Sequence, residues 1–111
     1  EKGLKYSDEE VGVLRTYYRK VYKFTKESIK RYGYIINPDN KQIGIGDGFY
    51  NVDHIYSIID GFVNNIDPEI VGSVINLQML EWRKNIVKNH QSWISLQELQ
   101  KRYEKFYESI V

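Results

Sequence analysis

The sequence predicts an all-α protein, a four-helix bundle with a glycine-rich loop or small hairpin between helices 1 and 2. Three observations predict it. Two S-x-x-E capping boxes, one at Ser7–Glu10 and one at Ser95–Glu98, each open a segment with apolar residues at three- and four-residue steps. The run Asp67-Pro68-Glu69 supplies an N-cap, a proline at the first helical position and a first-turn acid, which starts another helix. A continuous apolar pattern then follows, of the kind a buried helix shows.

The first helix is expected over about residues 7–33. Tyr6 and Val11 occupy the staple positions around its cap, and Leu14, Tyr17, Tyr18, Val21, Phe24 and Ser28 form one apolar face. Gly33 is a natural C-terminal stop. The next stretch, "YIINPDNKQIGIGDGFY", carries a turn signal at Asn37-Pro38-Asp39-Asn40 and glycines at 44, 46 and 48. Strand-like pieces at 34–36 and 42–45 pair as a small hairpin, or the stretch forms an ordered loop.

A second helix is expected over about 51–65, capped by Asn51, with Val52, Ile55, Ile59, Phe62 and Ile66 as its buried stripe. The third, over about 67–90, has apolar residues from Ile70 to Val87 on nearly every side, so it is central or covered by a second molecule. The fourth, about 95–110, has Ile94 and Leu99 as its staple. Leu96, Leu99, Tyr103, Phe106 and Ile110 follow at helical steps, with Glu98 and Arg102 as an i,i+4 pair.

Composition bounds the function. The 111 residues make one domain, and 41% apolar with 28% charged content is that of a globular chain. There is no cysteine, which excludes disulfides and thiolate metal sites. No run reaches the roughly 18 apolar residues of a membrane span, and no signal peptide is visible. The start, Glu1-Lys2-Gly3, lacks a methionine, so a trimmed N-terminal arm is expected. Ten tyrosines suit thin cores, interfaces or base and sugar contacts.

Charge is the most informative feature. The chain is nearly neutral, with 16 Lys+Arg against 15 Asp+Glu, yet residues 15–31 carry seven cations and a single anion, Glu27. Arg15, Arg19, Lys23, Lys26 and Lys30 line one helix face over about 22 Å, and Lys20 and Arg31 widen it. Like charges at i,i+4 cost a helix roughly 0.2–0.5 kcal/mol per pair. The fourth helix instead mixes signs, through Glu98, Lys101, Arg102, Glu104, Lys105 and Glu108. A straight row of cations matches a phosphate backbone, with Tyr17, Tyr18 and Tyr22 near enough to add hydroxyl contacts. Such binding is governed by counterion release and is largely blind to sequence. The alternative partner is an acidic protein surface.

Several motifs fail. "GIGDG" has Phe49 where a dinucleotide-binding fingerprint needs its third glycine, and no phosphate-loop lysine follows. His54 and His90 lie outside any H-E-x-x-H frame, and Asp53 beside His54 reads as a helix-start carboxylate next to a surface imidazole. Lys41 and Ile43 break a calcium loop at Asp39. A helix-turn-helix reader is disfavoured by the acidic, apolar start of the third segment. No catalytic residue, cofactor, metal site or small-molecule substrate is expected, and the chain is read as a non-enzyme.

The four segments "SDEEVGVLRTYYRKVYKFTKESIKRYG", "NVDHIYSIIDGFVNNID", "PEIVGSVINLQMLEWRKNIVKNH" and "SLQELQKRYEKFYESIV" together resemble, in architecture, the major coat proteins of filamentous and rod-shaped archaeal viruses. The resemblance implies a virion subunit that wraps linear double-stranded DNA and self-assembles into a filament, with or without a second coat protein. Arg15, Arg19, Lys20, Lys23, Lys26, Lys30 and Arg31 would face the DNA. The alternative is a cytoplasmic adaptor or inhibitor whose acidic target docks on the same stripe.

Overall fold

The computed structural model describes residues 7–110 and corrects the predicted class. Among those residues are five α-helices, 61% helix in all, and a two-stranded antiparallel sheet, so the fold is mixed α/β rather than an all-α four-helix bundle. The expected Tyr6–Val11 staple and the side chain of Ile110 lie outside the described residues.

Helix α1 (Asp8–Ile36) starts at the capping box read from sequence: Glu10 N–H donates to Ser7 Oγ at 3.1 Å and Ser7 N–H to Glu10 Oε1 at 2.8 Å. It runs past the expected stop. Tyr32, at φ −125° and ψ 22°, kinks it one residue before Gly33, and a last turn continues to Ile36. Of the two alternatives for this stretch, a small hairpin of 34–36 with 42–45 or an ordered loop, the hairpin is absent. Residues 34–36 are helical, and residues 37–49 form a loop with a single bridge, Ile43 to Tyr50. Gly44 is required in that loop, because an added Cβ would stand 2.5 Å from the Phe49 ring.

The expected second helix divides. Its first residues, 51–54, belong to strand β1 (Tyr50–His54), and Asn51 sits within the strand instead of capping a helix. Helix α2 (Ile58–Val63) follows, capped by Ser57, whose hydroxyl accepts from Asp60 N–H at 3.0 Å. The expected third helix divides further, into α3 (Pro68–Val71), a 3₁₀ turn (Val74–Asn76), β2 (Leu77–Glu81) and α4 (Trp82–Lys88). Strands β1 and β2 pair antiparallel, with Tyr50 opposite Glu81 and His54 opposite Leu77. The Asp67 cap and Pro68 start are where the sequence put them, with Glu69 N–H donating to Asp67 Oδ1 at 2.9 Å.

The apolar excess of residues 70–87 thus has an internal cause. Val71, Val74, Leu77 and Leu80 are buried core contributed by three short elements, whereas Ile86 and Val87 on α4 are exposed. No second molecule is needed to account for it. Full burial of each such aliphatic side chain stabilises the fold by about 1.5–3 kcal/mol.

Two close contacts and one buried amide set the connection between the strands against α1. A Cβ on Gly72 would lie 2.6 Å from Val21 O, and one on Gly61 would lie 2.6 Å from the Tyr17 hydroxyl, so backbone meets α1 directly at both points. Asn76, with no exposed surface, accepts from Tyr56 N–H at 2.7 Å and donates to Tyr56 O and Val71 O at 2.9 Å each. Helix α5 (Leu96–Ile110) matches its expected span and opens with Glu98 N–H donating to Ser95 Oγ. Leu99 is fully buried against Val21, Tyr56 and Val71.

Candidate functional site

The seven cations predicted to bind nucleic acid are all exposed on α1. At 3.6 residues per turn, Arg15, Arg19, Lys23, Lys26 and Lys30 point away from the face carrying Val21 and Thr25, and so away from the body of the fold. Among the described residues the ion pairs within 4.0 Å are Arg83–Asp47, Lys88–Asp53 and Arg102–Glu98; none uses a cation of the row. Lys20 and Arg31 sit on the far flank. Arg31 lines a separate cavity with Glu27, Glu69, Tyr103 and Phe106, set apart from the row itself.

On the other flank the stacked rings of Tyr18 and Tyr22, 6.3 Å apart, form a wall. Its outer side lines a trough with Arg19, Lys23, Lys26 and Glu27. Its inner side lines a cavity of about 250 Å³ with Asp53, His54, Asn85 and Lys88. Three elements position these groups. Successive residues of β1 point to opposite faces, so His54 turns toward α1 and Asp53 toward α4. On α4, Asn85 and Lys88 are three residues apart and share the inward face.

The cavity is polar and closely bonded. Lys88, 2% exposed, donates to His54 O at 2.8 Å and lies 3.1 Å from Asp53 Oδ1, with its ammonium 5.5 Å from the centre of the Trp93 ring. Gln78 Nε2 donates to Asp53 Oδ2 at 2.9 Å. Asn85 Nδ2 donates to Asn51 Oδ1 at 3.3 Å. His54, 8% exposed, has Nε2 2.9 Å from Thr25 Oγ1 and its ring edge-on to Tyr22. Burial, and then the Lys88 ammonium, lower the His54 pKa to about 4, so the imidazole is neutral at neutral pH. Burial and then Tyr22 push the Tyr18 hydroxyl upward, which keeps it protonated.

The sequence reading of this region is corrected: His54 is a buried strand residue, not a surface imidazole at a helix start. His90 is exposed, Asp47 is bonded to Arg83, and Asp60 accepts from Ser92 Oγ. Among the described residues no three His, Cys, Asp or Glu side chains converge as a metal site. The oxygen-bearing side chains that line the cavity are those of Tyr18, Tyr22, Asp53, Ser57, Asn85 and Asn89, and both Asp53 oxygens are engaged, by Lys88 and Gln78. One signal was available in the sequence. Lys88 directly follows Ile86 and Val87, and a lysine inside an apolar pattern asks for a buried acid.

No protein-family model, curated protein or solved structure matches the chain.

Proposed function

We propose that the protein binds nucleic acid along α1 and hydrolyses its phosphodiester backbone at the Asp53–His54 cavity. One observation carries this reading: the cation row and a cavity holding a neutral imidazole are two sides of the same Tyr18–Tyr22 wall. A strand held by Arg19, Lys23 and Lys26 runs beside the mouth of that cavity. There His54 takes a proton from water as the water oxygen attacks phosphorus, and returns it to the sugar oxygen that departs as its P–O bond breaks. Burial holds its pKa at about 4, and the negative charge of a phosphate at the cavity raises it toward neutrality. Lys88 supplies a fixed positive charge a short distance away, and Asp53 holds it there. The sequence reading expected a non-enzyme because no catalytic motif or acid/base spacing is present in the chain.

A second reading, the self-assembling DNA-binding subunit implied by the coat-protein resemblance, has lost the four-helix architecture that carried it. Exposed apolar side chains at Tyr34 (72%), Ile43 (58%) and Ile45 (81%) still favour self-association at the end of the protein near the 37–49 loop.

Incubation of the protein with random-sequence duplex DNA, single-stranded DNA and RNA, each with Mg²⁺ and with EDTA, separates the readings. The hydrolase reading predicts strand scission in at least one of these mixtures and its loss in His54→Ala. Salt-sensitive binding with intact strands, together with filaments in the electron microscope, supports the subunit. Absence of binding at low salt favours an acidic protein partner and removes both.

A further inference from the structure

Thr25 is the one polar side chain that α1 sends fully inward from the middle of the cation row, and it is 3% exposed. Its Oγ1 lies 2.9 Å from Val21 O and 2.9 Å from His54 Nε2. A hydroxyl has one hydrogen, and a carbonyl oxygen has none to offer. If that hydrogen pointed at Nε2, two oxygens would face each other at 2.9 Å with no proton between them. If it points at Val21 O, both contacts are attractive, provided Nε2 brings its own hydrogen. Only the second arrangement satisfies both distances. It leaves Nδ1 with the free lone pair of the neutral ring.

The position of Nδ1 follows by elimination. It makes no hydrogen bond to a described residue, and among those residues no buried side-chain nitrogen or oxygen lacks a partner. Nδ1 therefore reaches solvent, and the space beside His54 is the polar cavity. The edge contact with Tyr22, centroids 5.5 Å apart, restrains the ring from turning over.

We propose that Thr25 is a positioning residue: it fixes His54 as the Nε2–H tautomer and so presents Nδ1 to the cavity as the proton acceptor. The catalytic part of this assignment rests on the hydrolase reading above; the tautomer does not. It also ties binding to chemistry, because the helix that holds the polyanion carries the hydroxyl that orients the base. The charged and titratable groups around the ring are Lys88 and the exposed His90 from the α4 side, Asp53 on its own strand, and Tyr18 and Tyr22 from α1.

The test is long-range ¹H–¹⁵N NMR of histidine-labelled protein at pH 7. Wild type is expected to show protonated Nε2 and unprotonated Nδ1 at His54; the opposite pattern overturns the proposal without any variant. Thr25→Val, which keeps the shape and removes the acceptor, is expected to give a mixture of tautomers, and Thr25→Ser to restore the wild-type spectrum. An unchanged spectrum in Thr25→Val overturns the assignment to Thr25. Where wild type cleaves, Thr25→Val should lower kcat by about tenfold or more with KM nearly unchanged, with Thr25→Ser close to wild type. A wild-type protein with the expected tautomer and no cleavage of any nucleic acid removes the hydrolase reading and leaves the Thr25–His54 assignment standing.

Discussion

Replacing Lys88 by methionine tests the arrangement of the cavity through stability alone. The Lys88 ammonium lies 3.1 Å from Asp53 Oδ1, and the two side chains are 1% and 7% exposed. At that separation and an effective dielectric of about 20, their attraction is about 5 kcal/mol, against which the desolvation of both ions must be set. Removing the amine leaves a buried carboxylate with only the Gln78 amide, and leaves His54 O without its donor. A loss of about 3–5 kcal/mol is expected, a large share of the total of about 5–15 kcal/mol that a domain has. Asp53→Asn alone should cost a comparable amount. The double variant, with neither charge, should cost less than the sum of the two by about 2 kcal/mol or more. Guanidinium denaturation at pH 7, followed by tryptophan fluorescence, measures all four members of the cycle. Single costs below about 1 kcal/mol, or additivity, would show that the pair is solvated and that the cavity is not the enclosed site described.

Other consequences follow from particular residues. The row should act as a set of independent phosphate contacts, so Lys26→Ala is expected to make the slope of log K against log salt shallower by about 1 in fluorescence anisotropy on any duplex sequence. An effect confined to one sequence would point to base reading instead. For His54 the pKa falls from 6.5 in the unfolded chain to about 4 in the fold, so the unfolded chain takes up the proton first as pH drops. Its contribution is fully present above about pH 6.5 and is lost on descending to about pH 4, by roughly 3 kcal/mol. Denaturation at pH 7 and pH 4 should show that excess loss in wild type and not in His54→Gln. Asn76→Ala strips partners from Tyr56 N, Tyr56 O and Val71 O in the core. A loss of about 2–4 kcal/mol is expected in the same assay.

The helix ends were legible because their signals are local. Ser7 with Glu10, Ser95 with Glu98, and Asp67 with Pro68 each mark a start that a few neighbouring residues decide. The strands were not legible, for a physical reason. Val52, Ile55 and Ile59 satisfy helical spacing while Val52 and His54 satisfy strand alternation, and strands of five residues are too short for either period to win. Pairing β1 with β2 requires contacts more than twenty residues apart, such as Val52 with Met79, which no local pattern encodes. The same holds for the cavity. The cation row lies on one helix and could be read from spacing, whereas Asp53, His54, Asn85 and Lys88 meet only once β1 has paired with β2 and α4 has packed on them. Asn76 carries no signal in the sequence, and it is the amide that holds the connection between the strands in place.

The most direct measurement is a paired determination of duplex affinity and strand cleavage for wild type and His54→Ala under one set of conditions. Equal affinity with cleavage reduced by about 10²–10⁴-fold is the predicted outcome. Equal affinity with equal cleavage would place the chemistry elsewhere, and a wild type that binds without ever cutting would return α1 to a purely structural role.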